Sequence, residues 1–147
     1  MPELKIAFDT NNWVSFTIGK RLIELKDVLL AENVSTYICQ EIKQEYIEVI
    51  QRPKMAKYIK PERMIETLEL MAEACIEVVL SSTVQLSRDA KDNYLLALCQ
   101  DASLDYLMTG DNDLLVLETH QNTKILTFAD FIIILDNLLA LKQQTSQ

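Results

Sequence analysis

Short apolar segments alternate with longer amphipathic segments along almost the whole of this 147-residue chain. Runs of four or five apolar or β-branched residues are typical of strands, and apolar residues every three or four positions are typical of helices. The predicted strands are 4–8, 34–38, 76–80, 105–108 and 124–126, and the predicted helices are 13–18, 21–31, 40–51, 62–74, 89–100, 113–118 and 128–142. This alternation predicts an α/β fold with a parallel sheet covered by helices on both faces.

The chain is the size of one domain, and nothing in it suggests a boundary between two. It has only two glycines and three prolines, and no linker rich in Pro, Gly or Ser divides it. Apolar residues make up 49% of the chain, which is enough for a full core. We therefore expect a single domain over residues 1–142 with about five strands, followed by a flexible tail at 143–147.

Several features predict a cytoplasmic protein without a membrane span. The most apolar stretch, FIIILDNLLAL, is interrupted by Asp136 and Asn137, whereas a transmembrane helix needs about 20 apolar residues. The first residues lack the basic and apolar regions of a signal peptide. The three cysteines, at positions 39, 75 and 99, form no CxxC pair and are expected to be reduced and buried.

Four segments carry acidic residues where a strand ends or a helix begins, or within a helix. Asp9 and Asp111 follow the first and fourth predicted strands, Asp92 lies at the start of a helix, and Glu45 is within a helix. In a doubly wound sheet, strand ends and helix starts meet at one edge, where ligands bind. Carboxylates gathered there could hold Mg²⁺, which takes oxygen ligands and acts on phosphates. The pattern predicts a metal-dependent phosphodiesterase.

Each acid also has a structural alternative. Helix capping could account for four of the aspartates: Asp9, Asp89, Asp92 and Asp113. Of these, Asp89 is best explained by capping, and Asp113 is expected to cap the short helix that follows it. Glu45 could lie on a solvated stripe together with Glu41 and Glu48. Asp9 lacks the acidic neighbour of a phosphoacceptor domain, and Asn11 replaces the second aspartate of aspartyl phosphatases.

Charge is distributed unevenly along the chain. The net charge of −8 is unfavourable for binding nucleic acid, because phosphates repel acidic surfaces. However, five of the fourteen basic residues lie between positions 52 and 63, whereas residues 66–118 contain eleven acids and two bases. This predicts a basic lobe beside an acidic pocket, with a solvated basic face as the alternative. The single histidine, His120, is expected at the surface or in a turn, which excludes a histidine-based ribonuclease mechanism.

Three stretches, FDTNN, QEYIEVIQRPK and DAKDNYLLALCQDASLDYLMTGDNDLL, resemble the PIN-domain ribonucleases. The chain is most similar to the branch of toxin components in bacterial toxin–antitoxin pairs, from Leu4 to about Leu139. The resemblance implies four catalytic acids: Asp9, Glu45, Asp92 and Asp111. It implies that Asp9, Asp92 and Asp111 bind Mg²⁺ or Mn²⁺. It also implies supporting roles for three further residues: Asn11, Thr109 and Asp113.

The resemblance further implies endonucleolytic hydrolysis of RNA, in which one or two Mg²⁺ ions neutralise the carboxylates, bind the scissile phosphate and activate water. We expect four basic residues to guide the RNA backbone: Lys43, Arg52, Lys54 and Lys57. An antitoxin protein is the expected partner. Homodimerisation is expected from the family and from four apolar residues: Tyr58, Met64, Phe131 and Ile132. The alternative is a binding or regulatory protein of the same fold that acts through a partner protein or RNA with little catalysis.

Overall fold

A computed structural model of the chain describes residues 3–145, with side chains described as far as Leu141. Six strands form one sheet in the order β3-β2-β1-β4-β6-β5. The strands are β1 Leu4–Phe8, β2 Val34–Ile38, β3 Cys75–Glu77, β4 Tyr106–Met108, β5 Thr119–His120 and β6 Thr123–Leu126. All neighbouring pairs are parallel except β5 and β6.

Seven α-helices connect and cover these strands. They are α1 Thr10–Ile18, α2 Leu22–Leu29, α3 Gln40–Ile50, α4 Pro61–Ala74, α5 Asn93–Asp101, α6 Asn112–Leu115 and α7 Phe128–Thr145. Short 3₁₀ turns lie at Pro53–Met55 and Ala90–Asp92. Among residues 3–145, the structure contains no helix with both the length and the apolar character needed to cross a bilayer.

The central strand β1 is buried on both faces of the sheet. Its consecutive residues Ile6, Ala7 and Phe8 are each 0% exposed. Successive residues of a strand point to opposite faces, so full burial of three in a row requires packing on both sides. This confirms the predicted α/β fold with a helix-covered sheet.

Helix α1 shows how local sequence sets the direction of the chain. Asp9 caps its start by accepting a hydrogen bond from the backbone N–H of Asn12, at 2.9 Å. Gly19 ends it with φ of 105°, a left-handed conformation that only glycine adopts readily. A Cβ at Gly19 would also lie 2.1 Å from Nη1 of Arg63, which packs against the turn from α4.

An aromatic cluster joins α1 and the start of α7 to the sheet. Phe8 of β1 contacts Trp13, Phe16 and Phe128, with each pair of ring centroids 5.6 Å apart. Trp13 is 0% exposed and Phe16 is 2% exposed, so the cluster belongs to the core. It holds the first turn of α1 at the carboxyl end of β1, where Asp9 lies.

The sheet differs from the prediction at its edge. The predicted five parallel strands are six, because Thr119–His120 pairs antiparallel with β6. His120 was expected at the surface or in a turn, but it is buried, and its Nε2 lies 2.7 Å from Oε1 of Gln100. A two-residue strand has too short a sequence pattern to be recognised before the structure is known.

Several smaller expectations were also wrong. Helix α7 continues to Thr145, so residues 143–145 of the predicted flexible tail are helical; residues 146 and 147 lie outside the described part. The predicted strand 76–80 is Cys75–Glu77. Phe131, which was expected to support a dimer, is 0% exposed and packs edge-on against Tyr106 with centroids 5.5 Å apart.

Candidate active site

Four acidic side chains from distant parts of the sequence line one small cavity: Asp9, Glu45, Asp92 and Asp111. The cavity lies at the carboxyl ends of the neighbouring strands β1 and β4. The strand order of the sheet reverses between these two strands, and ligands commonly bind at such a point. Phe8 and Met108 pair across these strands, and the N–H of Asp9 donates to the carbonyl of Met108 at 3.0 Å. The structure therefore brings these four acids, from distant parts of the sequence, to one cavity.

Asp9 is the most deeply buried of the four, with 4% of its surface exposed. Its Oδ1 accepts from the backbone of Asn12, and its Oδ2 accepts from the hydroxyl of Thr109. With its amide turned to donate, the Asn12 side chain lies 2.8 Å from Oδ1 of Asp9 and 2.9 Å from the carbonyl of Met108. Burial is the main reason that the pKa of Asp9 is raised to about 6; the charges of Asp111 and Glu45 also raise it, and the hydrogen bonds from Thr109 and the Asn12 backbone oppose the rise.

Asp111 caps α6, a role that was expected for Asp113. Its Oδ1 accepts from the backbone N–H of Asp113 at 2.8 Å, and its own N–H donates to Oγ1 of Thr109 at 3.0 Å. Thr109 therefore links the two acids, because its hydroxyl also donates to Asp9. Asp113 turns outward and pairs with Arg88, whose Nη2 lies 2.9 Å from Oδ1 of Asp113.

The carboxylate of Asp92 is incompletely hydrogen-bonded. Its Oδ2 is buried without a hydrogen-bond partner among the described residues, one of three such side-chain atoms. Burial is the main reason that the pKa of Asp92 is raised to about 7; the neighbouring Asp111 side chain and the charges of Asp111, Asp89 and Glu45 raise it as well. As the sequence predicted, Asp89 is a cap: it accepts from the N–H of Lys91 at 3.0 Å.

Glu45 reaches the cavity from the middle of α3. It accepts hydrogen bonds from the hydroxyl of Thr10, at 3.2 Å, and from the hydroxyl of Tyr94. Thr10 lies on α1 and Tyr94 on α5, so Glu45 connects three helices at the cavity wall. The alternative of a fully solvated stripe is excluded for Glu45.

The oxygen atoms of these side chains are ligands that suit a hard divalent cation, although the side chains are not already arranged as a complete ligand set. Within residues 3–145, no three His, Cys, Asp or Glu side chains are arranged to hold a metal ion as they stand. The cavity volume is about 10 Å³, roughly the space of one water, which also suits a single ion. Mg²⁺ keeps several waters and needs only one or two carboxylates. The oxygen of Asp92 that lacks a partner among the described residues could serve as one such ligand.

The basic residues expected to guide RNA lie elsewhere. Lys43 bonds to Oε1 of Glu77 at 2.5 Å, and because it is two positions before Glu45 it faces the opposite side of α3. Arg52, Lys54 and Lys57 are exposed beyond the end of α3. The described cavity lining includes none of these four residues.

Three residues at the site were missed by sequence reasoning: Asn12, Arg88 and Tyr94. Asn11, which was expected to orient the carboxylates, is exposed and lines the cavity, while Asn12 contacts Asp9. Asn12 could have been found from its position three residues after a capping acid. Arg88 carried a weaker signal as one of two bases in a long acidic stretch, and Tyr94 had none beyond its helical spacing.

Comparison with protein families gives one match. The family model described as PIN domain matches residues 5–113, a span that includes all four acids of the cavity. Comparison with curated proteins gives no match.

Proposed function

The chain belongs to the PIN-domain family, whose members are typically nucleases that use divalent metals, and on this premise we propose that it is an Mg²⁺- or Mn²⁺-dependent endoribonuclease. The observation that carries the proposal is the buried, unpartnered Oδ2 of Asp92, in a cavity that it shares with three other acids. The substrate is RNA, and the reaction is hydrolysis of its phosphodiester bonds.

Electrostatics explain why a cavity lined by several carboxylates favours a cation. Carboxylates crowded in a poorly hydrated site repel each other and resist ionisation unless positive charge is added. Hydrogen bonds from Thr109 and Asn12 hold Asp9 in place, but Asp92 has no such donor for Oδ2 among the described residues. A divalent ion would give that oxygen a partner, and it would also offset the repulsion between the carboxylates.

Asp9, Asp92 and Asp111 are the residues that would hold the ion, with Glu45 beside them. When bound, the ion supplies a positive charge for the scissile phosphate and acidifies water for hydrolysis. The protein's own contribution is positional. Thr109 fixes the carboxylates of Asp9 and the backbone of Asp111 relative to each other, at the ends of β1 and β4.

Arg88 is the basic residue best placed to meet a phosphate at this site. Its guanidinium pairs with Asp113, two positions after the cavity acid Asp111, and also donates to the carbonyl of Asn112 at 3.3 Å. A guanidinium offers five donors, so two contacts leave others free for phosphate oxygens. Asp113 then acts by positioning Arg88. Arg52, Lys54 and Lys57 would contact the RNA backbone farther from the cavity.

The biological role that we propose is that of a toxin whose activity is restrained by an antitoxin protein. Support comes from the resemblance of the sequence and from exposed apolar side chains such as Ile23, Leu30 and Val79, which are 77%, 75% and 89% exposed. Such residues could be covered by an antitoxin or by a second copy of the chain in a homodimer. The three free cysteines support a reducing compartment such as the cytoplasm.

The test is cleavage of labelled single-stranded and hairpin RNAs by purified protein with Mn²⁺, with Mg²⁺ and with EDTA. We expect cleavage only with metal, and its loss by about 10³-fold in Asp9→Asn, since the metal supplies several kcal/mol of transition-state stabilisation. Asparagine still caps a helix, so α1 is retained. Asp136→Asn is the matched control, because Asp136 is exposed on α7. Equal cleavage in EDTA would refute the metal mechanism.

One observation favours the second candidate, a PIN-fold protein that binds RNA or a partner with little catalysis. Both oxygens of Asp9 already accept hydrogen bonds from the protein, which reduces their availability to a metal. This alternative predicts RNA binding without cleavage in every metal condition. The same assay, read together with a binding measurement, distinguishes the two.

A further inference from the structure

A groove adjoins the acidic cavity and shares one of its walls. Tyr94 lines both, with its hydroxyl bonded to Glu45 on the cavity side. The groove has a volume of about 280 Å³, far more than the cavity. Three apolar residues, Leu80, Val84 and Ala97, contribute to its lining, with Glu41 and Asn93 among its polar residues.

The outer wall of the groove is a segment without regular structure, residues 78–88, that is tied to α5 at two places. Near its start, the carboxylate of Asp101 accepts from the backbone N–H groups of Ser81 and Ser82 at 2.7 and 3.1 Å. Near its end, Oδ1 of Asn93 accepts from the N–H of Ser87 at 2.9 Å. These hydrogen bonds attach both ends of the segment to α5, and Val84, between them, lines the groove.

We propose that this groove binds one nucleobase of the RNA, next to the phosphate that is cut. The inference rests on the proposed function, because the groove is related to the site of cleavage only by adjoining the acidic cavity at Tyr94, which lines both. RNA-binding proteins commonly take up unstacked bases against aromatic side chains. A base is uncharged, so it tolerates the acidic surroundings where a second phosphate would be repelled.

The size and lining of the groove limit what it can take. Pockets for drug-sized ligands have volumes of roughly 300–1,000 Å³, so this groove suits something as small as a single base. Apolar side chains and the Tyr94 ring offer contacts to the faces of the base. Asn93 uses its oxygen to bind Ser87, which leaves its amide N–H₂ available as a donor to the base edge.

Glu41 gives the groove a preference among bases. Within residues 3–145 it forms no ion pair, so its carboxylate is available as an acceptor. A carboxylate binds exocyclic amino groups such as N4 of cytosine, whereas the N–H of uracil is flanked by two carbonyl oxygens that repel it. Adenine, cytosine or guanine should therefore be preferred over uracil at this position.

The experiment uses short RNAs in which each base near the cut is removed in turn while the ribose and phosphate remain. With wild-type protein and Mn²⁺, we expect one abasic position to slow cleavage by about tenfold, the usual scale of base–aromatic stacking. Ala97→Met fills the groove, so it should cleave intact RNA about tenfold more slowly and show no further loss at that abasic position. Ala72→Met, on the exposed face of α4, is the matched control and should behave as wild type.

Several outcomes would overturn the groove assignment while the proposed function stands. In the first, removal of a base slows cleavage at no position. In the second, removal of one base slows cleavage (the abasic penalty), but the abasic penalty is the same in Ala97→Met as in the wild type. If Ala97→Met does not fold by circular dichroism, Val84→Ala replaces it, with an expected drop of the abasic penalty to about threefold. Loss of the preference over uracil in Glu41→Gln supports the role of Glu41, and an unchanged preference refutes it.

Failure of the proposed function gives a different pattern. If the wild-type protein cleaves no RNA in any metal, the same oligonucleotides are compared by fluorescence anisotropy. If the groove holds a base, one abasic RNA should still bind about tenfold more weakly than intact RNA. Ala97→Met should remove this difference between the two RNAs. Equal dissociation constants across the whole series would refute the groove as well.

Discussion

Helices α1 and α3 share two polar clusters that differ in how completely their atoms are bonded. At one end, Thr10 and Glu45 belong to the acidic cavity. Two turns along α1, Thr17 meets Tyr46 of α3 at 2.5 Å and Thr67 of α4 at 2.9 Å. Thr17 and Thr67 also contact the carbonyls of Trp13 and Arg63, at 3.0 and 2.8 Å. We call these three hydroxyl-bearing residues the hydroxyl cluster.

The hydroxyl cluster contains polar groups that stabilise the fold, whereas the acidic cavity contains groups that we propose act in RNA cleavage. Each oxygen of the hydroxyl cluster has a partner, and its residues are at most 2% exposed. The acidic cavity contains an oxygen of Asp92 with no partner in the part of the chain that the structure describes, and two carboxyls, Asp9 and Asp92, with raised pKa values. Glu45 and Tyr46 are neighbours in sequence, so the boundary between the two roles runs between consecutive residues of one helix.

The largest test of this contrast is Asp92→Asn, which should change activity and stability in opposite directions. RNA cleavage should fall by about 10³-fold, because one candidate metal ligand is lost. The free energy of unfolding without metal should rise by about 1 kcal/mol at pH 8, because a buried charge is removed and the amide can donate to its acidic neighbours. Cleavage rates and urea unfolding in EDTA measure both, with Asp136→Asn as the control. A destabilised variant would show that Asp92 serves the fold instead.

The second test is the pH dependence of stability without metal. The pKa of Asp9 is about 6 in the folded protein against 3.8 for the free side chain, so the folded state holds this proton more tightly. The stabilisation of the folded state by this tightly held proton is present in full below about pH 4 and is lost as the pH rises through 6. Roughly 3 kcal/mol should be lost from this group by pH 8, as an upper estimate. Urea unfolding in EDTA at pH 5 and pH 8 should show a smaller decrease for Asp9→Asn than for wild type, and equal decreases would contradict the assignment.

The smallest effect is expected from a pair of tyrosines, one in each cluster. Tyr46→Phe removes one buried hydrogen bond and should cost about 1 kcal/mol of stability, without changing cleavage. Tyr94→Phe removes a donor to Glu45, so it should slow cleavage more than it lowers stability. Thermal unfolding and cleavage rates measure both variants, with exposed Tyr58→Phe as the control. If Tyr46→Phe also slowed cleavage, the two clusters would not be independent.

Sequence reasoning succeeded where topology alone fixes the position of a residue. Asp9 and Asp111 follow β1 and β4 within three residues, so adjacent parallel strands bring them together whatever the side chains do elsewhere. Asp92 was placed by the same logic, as an acid near the start of a helix. These predictions needed only the strand–helix alternation and the rule that ligands bind beyond the carboxyl ends of strands.

Sequence reasoning from topology was weaker where position depends on how one element is rotated against another. Glu45 was assigned through the family resemblance, because it reaches the cavity only through the face that α3 turns toward α1. Lys43 lies on the opposite face of α3 and contacts Glu77. Arg88 meets Asp113 across a loop whose path has no sequence signal. His120 is buried by a hairpin of two short strands, in a stretch whose polar residues suggested a turn.

The turn after α1 limits how this protein could be engineered. Replacing glycine with alanine is a common way to reduce the freedom of the unfolded chain. At Gly19 the crowding by Arg63 could be relieved, because a long side chain can swing aside, but φ of 105° is set by the backbone and would remain. A thermostabilising design should therefore keep glycine at this corner and seek its gains on exposed helix surfaces.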